Sequence, residues 1–282
     1  MAKCNVCFRH CDIPDGKLGF CGGRTARGDV TVSHNYGRIA SLALDPIEKK
    51  PLARFYPGSK ILSVGSFGCN LRCPFCQNND ISWSEQALKY AETAERVSPD
   101  ELVEIAVATK PKGNIGIAFT YNEPLVGYEF VLDTSKLAQA AGLQTVMVTN
   151  GTAELAILRE LAPYMDAMNI DLKGFSDRYY NDVLGGNRAM VMAFIEEAVK
   201  SCHVELTTLI IPSENDTEDE MRELSRWVSA LRNPDGDSVP LHISRFFPHF
   251  HMKDRSATDV RTVYRLAEVA RENLPYVYTG NC

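Results

Sequence analysis

The chain has 282 residues, of which 45% are hydrophobic and 23% charged, and its formal net charge is −6. This length suits one large α/β domain or two small ones. The net negative charge argues against a sequence-independent nucleic-acid binder, which needs a basic surface for the phosphates. No apolar run approaches the roughly 18 residues of a membrane span, and the first residues lack the apolar core of a signal peptide. We therefore expect a cytoplasmic protein with no nucleic-acid or membrane partner.

Four cysteines stand close together at the N-terminus, namely Cys4, Cys7, Cys11 and Cys21. Clustered cysteines in a chain without a signal peptide favour a metal site over disulfides. Zinc and an iron–sulfur cluster both stay open, because each accepts four thiolates in roughly tetrahedral geometry. A set of free or structural thiols is the remaining alternative.

The next segment predicts a small β-structure. Residues 29–44 alternate apolar and polar side chains on either side of Gly37, which predicts a β-hairpin. Prolines then mark loops at residues 45–52 and 56–59. We predict that residues 1–58 form a cysteine-rich, metal-binding extension with this hairpin, and that residues 59–282 form the main domain.

A short apolar strand predicted at residues 60–67 leads into three further cysteines, Cys69, Cys73 and Cys76. Their spacing is C-x3-C-x2-C, with no fourth cysteine nearby. Three thiolates suit a [4Fe–4S] cluster that leaves one iron open to a small molecule, whereas structural zinc fills four positions. A zinc knuckle or a loop of free thiols is the alternative, although this is not a usual zinc-finger spacing.

Strands and helices alternate from residue 60 onwards. The later strands are predicted at 115–120, 144–149, 167–172, 204–211, 241–246 and 276–279, and the helices at 98–110, 127–141, 153–161, 188–201, 217–231 and 257–272. Ser98 and Glu101 form a capping box, and Asn215 or Asp216 is the expected cap of the helix at 217–231. Such repeated units form a parallel sheet with right-handed crossovers, either open or closed into a barrel.

Polar residues follow several of these strands, at the edge where α/β folds bind ligands. Asp171 and Lys173 alternate with apolar neighbours and point to one face. Because buried unpaired charges cost several kcal/mol, these two side chains are expected to pair or to bind a charged ligand. His242 and Arg245 are candidate catalytic residues that face a substrate, with a surface pair as the alternative.

The cysteine run, in which Phe75 is the aromatic residue before the third cysteine, resembles the radical S-adenosylmethionine (SAM) superfamily. The resemblance implies a partial (β/α)6 TIM-type barrel, a [4Fe–4S] cluster on the three cysteines and SAM on the open iron. Reductive cleavage of SAM would give methionine and a 5′-deoxyadenosyl radical that abstracts hydrogen from a substrate. It also implies an oxidoreductase that works anaerobically with an external electron donor, a flavodoxin or ferredoxin.

The same resemblance extends to residues that would bind SAM. Asn122 and Glu123 resemble a Gly-Gly-Glu-Pro segment that holds the SAM amino group. Val148 to Gly151 resemble the Asp-Thr-Asn-Gly segment of glycyl-radical activating enzymes, and Asp171 to Lys173 their Asp-Leu-Lys segment, whose lysine meets the SAM carboxylate. The cofactor-binding set implied in this way is Phe75, Asn122, Glu123, Thr149, Asn150, Asp171, Lys173 and Ile211, with Asp171 and Lys173 also catalytic.

Two departures separate the chain from a standard pyruvate formate-lyase activating enzyme. Tyr121-Asn122 replaces two glycines, and Val148 replaces an aspartate. The chain is more similar to the radical SAM enzymes of the AmmeMemoRadiSam system, which share the segments at 45–52, 120–124 and 244–246. The substrate stays open between a small molecule and a glycine of a partner protein. A non-catalytic iron–sulfur electron-transfer protein or zinc-binding interaction protein is the alternative function.

Overall fold

Two small antiparallel pairs of strands build the N-terminal extension. The computed structural model describes residues 1–282, the side chain of Tyr90 excepted. Strand β1 (Ala2–Lys3) pairs with β2 (Asp12–Ile13), and β3 (Arg24–Arg27) pairs with β4 (Val30–Ser33). The cysteine-rich segment is therefore folded against short strands.

The predicted hairpin over residues 29–44 is wrong in its pairing. Its first half, β4, pairs with the preceding strand β3 and not with the second half of the predicted hairpin. Its second half becomes β5 (Ser41–Pro46), which pairs antiparallel with β6 (Lys60–Gly65) of the main sheet. Alternating polarity predicts an extended strand but does not choose its partner, because any neighbouring strand satisfies a period of two. Part of the predicted extension therefore belongs to the sheet of the main domain.

The main sheet contains eight strands, β5 to β12, and their order across the sheet is the same as their order in the chain. After β5 and β6 these are β7 (Asn114–Phe119), β8 (Gln144–Thr149), β9 (Ala167–Asp171), β10 (His203–Ile210), β11 (Leu241–Arg245) and β12 (Val277–Gly280). Neighbours from β6 to β12 pair in parallel. The predicted partial barrel is confirmed, with β5 and β12 as its two edges.

Helices follow the strands as the alternation predicts. They are α1 (Asn79–Ser82), α2 (Glu85–Thr93), α3 (Pro99–Ala108), α4 (Tyr128–Ala140), α5 (Leu155–Leu161), α6 (Arg188–Ala198), α7 (Glu218–Val228) and α8 (Val260–Arg271), with a π-helix at Tyr179–Leu184. Helices α1 and α2 and the π-helix have no counterpart in the prediction. None of the helices in the described chain is long and apolar enough to cross a bilayer.

Helix caps show where local sequence decides the structure. Ser98 and Glu101 form the predicted capping box, with the Ser98 amide donating to the Glu101 carboxylate at 2.7 Å. Helix α7 is capped by Thr217 rather than by Asn215 or Asp216. Asn215 instead donates to the Lys173 carbonyl at 2.7 Å and accepts from the Ile211 amide at 2.8 Å. A tertiary role has therefore displaced the local capping role.

The segment after β5 closes the amino end of the barrel. The amides of Ala53 and Arg54 donate to the Glu205 carboxylate at 2.9 and 2.8 Å. The Asn169 side chain donates to the Pro51 carbonyl at 2.8 Å. This end of the barrel is therefore blocked, and ligands must approach the opposite end or the gap between the edge strands.

Gly116 in β7 is required by the close approach of β8. A Cβ at this position would lie 1.8 Å from the Gln144 carbonyl oxygen, which belongs to the backbone of the next strand. Gly116→Ala is expected to lower the free energy of unfolding by at least about 2 kcal/mol, because the strands must separate. Gly280→Ala is the matched control, since its Cβ would meet nothing closer than 3.4 Å. Urea unfolding of both variants tests this, and equal losses would contradict it.

Candidate functional site

A cavity of about 340 Å³ opens at the carboxyl ends of the parallel strands. Ten of the predicted site residues line it, namely Cys69, Cys73, Phe75, Cys76, Asn122, Glu123, Thr149, Asn150, Asp171 and Lys173. They come from the last residues of β8 and β9 and from the loops after β6, β7, β8 and β9, which are far apart in sequence. The topology of the sheet has therefore brought these side chains to one place.

The cysteine loop is held by backbone contacts. Gly68 has a φ of +94°, and a Cβ there would lie 2.7 Å from the Cys21 carbonyl oxygen. The next amide, of Cys69, donates to the same carbonyl at 3.0 Å. Only glycine readily adopts this φ and leaves this space. The N-terminal extension is thereby packed directly on the loop that carries the three thiols.

Cys73 is buried, Cys69 and Cys76 are partly buried, and all three thiols face a mixed electrostatic environment. Burial raises the pKa of Cys69 and Cys76, and raises that of Cys73 to about 12. Lys173 acts in the opposite sense on Cys73 and Cys76. Buried thiols of this kind become thiolates when a metal centre supplies positive charge.

Glu123 lies at the junction of three loops. Its carboxylate accepts from the Thr149 hydroxyl at 2.7 Å, the Asn150 amide at 2.8 Å and the Leu125 amide at 3.1 Å. Its own amide donates to the Gly68 carbonyl at 3.2 Å. Burial raises the pKa of Glu123 to about 7, although these hydrogen bonds lower it. Through its carboxylate and its amide, Glu123 thus joins the ends of β7 and β8 to the cysteine loop.

Asp171 and Lys173 form the ion pair that their alternation predicts. The Lys173 ammonium donates to an Asp171 carboxylate oxygen at 2.7 Å. Burial lowers the pKa of Lys173, but Asp171 and Cys73 outweigh burial and hold it well above its usual value. A lysine that stays charged beside the thiols can bind a carboxylate through a charge-assisted hydrogen bond.

A buried amide network reaches the first thiol. Asn150 donates to the Asn70 side chain at 2.9 Å and lies 3.8 Å from the Cys69 sulfur. Asn70 donates in turn to the Thr152 hydroxyl at 2.8 Å. The role of Asn70, which is 1% exposed, was missed in the sequence, although its position directly after Cys69 was a signal. Together these side chains orient the cysteine loop against the end of β8.

Comparison with known families identifies this site. A family model for the Radical SAM superfamily matches residues 63–228, which contain all three cysteines of the loop. The chain belongs to the radical SAM superfamily. Membership implies a [4Fe–4S] cluster and SAM as cofactors, in line with the three-thiol loop.

Relatives agree with this assignment. An uncharacterized protein of Methanocaldococcus jannaschii is 39% identical over 289 residues, which cover 99% of this chain and 81% of that protein. The pyruvate formate-lyase-activating enzyme of Clostridium pasteurianum is 26% identical over 181 residues, covering 62% of this chain and 72% of that enzyme.

Solved structures show the same fold. Streptococcus suis SuiB bound to S-adenosylmethionine superimposes with a TM-score of 0.58 at 14% identity. The match covers 76% of this chain and 48% of SuiB. At this identity the likeness shows the partial barrel alone and carries nothing about the substrate of this chain.

The residues of this radical SAM chain fit both cofactors. Three thiols on one loop would supply ligands for three irons and leave the fourth without a protein ligand. Glu123 offers a buried carboxylate for an ammonium group, and Lys173 an ammonium for a carboxylate. Both charges line the same cavity as the thiols, so an amino acid head group has complementary partners there.

Three of the predicted catalytic and cofactor-binding residues lie outside the cavity lining. His242 contacts the buried Glu205 carboxylate through Nε2 at 2.6 Å, toward the closed end of the barrel. Arg245 donates to the Thr258 carbonyl at 2.7 Å, and its neighbour Ser244 lines the cavity instead. Ile211 is fully buried, and Leu209 lines the cavity. Alternation along a strand accounts for Arg245, because Ser244 next to it faces the other way. Ile211 instead lies just beyond the end of β10, and His242 lies near the start of β11, toward the closed end.

The cavity also contains a lysine-rich wall that the sequence did not assign. Lys49, Lys50 and Tyr121 line it, and Asp45 contacts all three. The signal was available in the charged run at Asp45 to Lys50, which reads as an ordinary loop when its position in the barrel is unknown.

Glu123 gives the apoprotein a distinct pH dependence. Its pKa is about 7 in the folded state against an ordinary 4.5, so its contribution to stability is present below 4.5 and is lost as the pH rises to about 7. The free energy of unfolding should fall over this interval by roughly 3 kcal/mol more in the wild type than in Glu123→Gln. Urea unfolding at several pH values compares the two, and parallel profiles would count against the shift.

Proposed function

We propose that the chain is a radical SAM enzyme that cleaves S-adenosylmethionine reductively and uses the resulting 5′-deoxyadenosyl radical to abstract hydrogen from a substrate. The observation that carries this proposal is the convergence of Cys69, Cys73 and Cys76 with Glu123 and Lys173 on one cavity. When bound, the cluster would supply one electron to the SAM sulfonium. Cytoplasmic location and anaerobic operation are part of the proposal.

The chain's own residues would bind and orient SAM. Glu123 is placed to accept hydrogen bonds from the SAM ammonium group, and Lys173 to bind its carboxylate. Asp171 keeps Lys173 charged and oriented through the 2.7 Å ion pair. Phe75 and Leu209 add apolar walls to the same cavity, which limits the access of water to a reactive radical.

An external one-electron donor, a flavodoxin or ferredoxin, would complete the reaction. The substrate is either a small molecule or a glycine of a partner protein. The relative from Clostridium pasteurianum is named as an activating enzyme of pyruvate formate-lyase, which supports the second class. Tyr121 and Asn122, which replace two glycines of that group, support the first.

Formation of 5′-deoxyadenosine tests this function. Protein reconstituted anaerobically with iron and sulfide should convert SAM to methionine and 5′-deoxyadenosine when dithionite is added. Cys73→Ala should reduce the rate to background, because the cluster loses a ligand. Cys202→Ala is the control, since this buried thiol lies outside the cavity lining and donates to the Ala198 carbonyl. A wild-type protein that binds a cluster and releases no nucleoside would be the non-catalytic electron-transfer protein instead.

A second metal site in the N-terminal extension is also part of the proposal. The four cysteines of this site, Cys4, Cys7, Cys11 and Cys21, line one small cavity. Among the described residues no three His, Cys, Asp or Glu side chains converge on one ion position. Loading would therefore rotate the side chains onto zinc, or place each thiolate on a separate iron of a cluster.

Metal content distinguishes the two forms of this site. In a variant with Cys69, Cys73 and Cys76 all changed to alanine, an iron–sulfur cluster should leave about four irons per chain and absorbance near 400 nm. Zinc should leave a single colourless ion. Metal analysis and visible spectra of this variant make the measurement, and a chain free of both metals would remove the site from the proposal.

A further inference from the structure

A cationic wall lies on the side of the cavity away from the cysteine loop. It consists of Asp45, Lys49, Lys50 and Tyr121. Asp45 lies opposite Ile61 in the pairing of β5 with β6, four residues and so about 13 Å along the strand before the end of β6, beyond which the cysteine loop follows. Lys49 and Lys50 line the cavity together with the thiols. The wall is therefore part of the same space but separate from the groups assigned to SAM.

Tyr121 is held in a backbone conformation that strains its side chain. Its φ is +73°, a region that costs a non-glycine residue about 1–3 kcal/mol unless the surroundings enforce it. Its hydroxyl donates to Asp45 at 2.6 Å, and its carbonyl accepts from the Asn78 side chain at 2.8 Å. Its ring occupies the space beside Gly65, where a Cβ would lie 2.9 Å from the ring. Several contacts therefore maintain the strain.

Asp45 and the Tyr121 ring together hold the Lys50 side chain in place. The Lys50 ammonium donates to the Asp45 oxygen that also accepts from Tyr121, at 2.9 Å, and lies 4.5 Å from the centre of the Tyr121 ring. Its side chain is only 3% exposed. The two contacts hold Lys50 on the cavity wall, where a free lysine would otherwise extend into solvent.

The charges of this wall do not cancel. Asp45 is shared between Lys50 and Lys49, whose ammonium lies 3.5 Å from the second carboxylate oxygen. Two ammonium groups against one carboxylate leave one surplus positive charge. Of the other charged residues on the cavity, Asp171 and Lys173 pair with each other, and Glu123 brings no positive charge. The cavity is therefore positive at the lysine wall alone, which favours an anionic ligand there.

We propose that Lys49 and Lys50 bind the oxyanion of a small-molecule substrate, a carboxylate or a phosphate, and that Asp45 and Tyr121 are the residues that position Lys50. A glycine within a protein backbone carries no charge and so offers no oxyanion for Lys49 and Lys50 to bind. The reaction of the bound molecule rests on the proposed radical chemistry, but its binding does not. The wall thus selects the substrate by charge, while the opposite side of the cavity performs the cleavage.

Anion binding to the reconstituted protein with SAM present tests the proposal, because SAM occupies Lys173 and leaves the wall as the open cationic site. Isothermal titration with inorganic phosphate and, separately, with acetate should detect binding of at least one of them. Lys49→Gln and Lys50→Gln should each weaken that binding by about tenfold, since each removes a direct charge. The stronger of the two probes identifies phosphate or carboxylate as the substrate group.

Matched variants separate binding from folding. Lys112→Gln changes an exposed lysine outside the cavity and should leave phosphate and acetate binding unchanged. Lys49→Gln alters a side chain that is 68% exposed, so it should fold even where Lys50→Gln does not. Tyr121→Phe should weaken binding but keep the wild-type dependence on salt, whereas the lysine variants should reduce that dependence.

Two results would overturn the inference: binding of neither probe by the wild type, or equal binding by the wild type and Lys49→Gln. Measuring 5′-deoxyadenosine in the same samples distinguishes failure of the anion-binding inference from failure of the proposed function. Lysine variants that lose anion binding but still cleave SAM support both. If anion binding depends on Lys49 but the protein does not cleave SAM, the anion site is supported and the proposed radical chemistry is contradicted.

Discussion

A buried carboxylate, Glu123, is the interaction on which the open end of the barrel depends. It accepts hydrogen bonds from the end of β8 and from the turn after β7, and its amide contacts the cysteine loop. An unpaired carboxylate in this position would cost several kcal/mol. The surrounding loops must therefore keep their donors in place, and this requirement brings the thiols, Thr149 and Asn150 to one cavity.

The charged side chains that line this cavity lie in two groups on different sides of it. Thiols, Glu123 and the paired Asp171 and Lys173 lie at the carboxyl ends of the strands. Lys49 and Lys50 lie toward the seam between the two edge strands, where β5 and β12 do not pair. A closed barrel would leave no such seam. The incomplete barrel thus gives one space with a cofactor side and a cationic side.

Local patterns predicted most of the secondary structure. The strand at residues 144–149 and the capping box at Ser98 follow from alternation and from the chemistry of the first helical turn. The pairing of residues 29–44 did not follow, because an alternating strand accepts any neighbour. The cap of α7 also did not follow, since the Asn215 side chain bonds the distant Lys173 as well as the nearby Ile211. Contacts distant in sequence override local preference in both cases.

The sequence alone determined the three-thiol loop and its position after a strand. It also determined that Asp171 and Lys173 point to the same face, since residue spacing and strand period are local properties. Tertiary structure decided which polar residues share the cavity. It placed His242 on Glu205 and Arg245 outside the lining, and it brought Tyr121, from the loop after β7, to Asp45 and Lys50 near the end of β5. The reason is geometric, because side-chain direction changes with every residue of a strand, and the curvature of the sheet determines which loops meet.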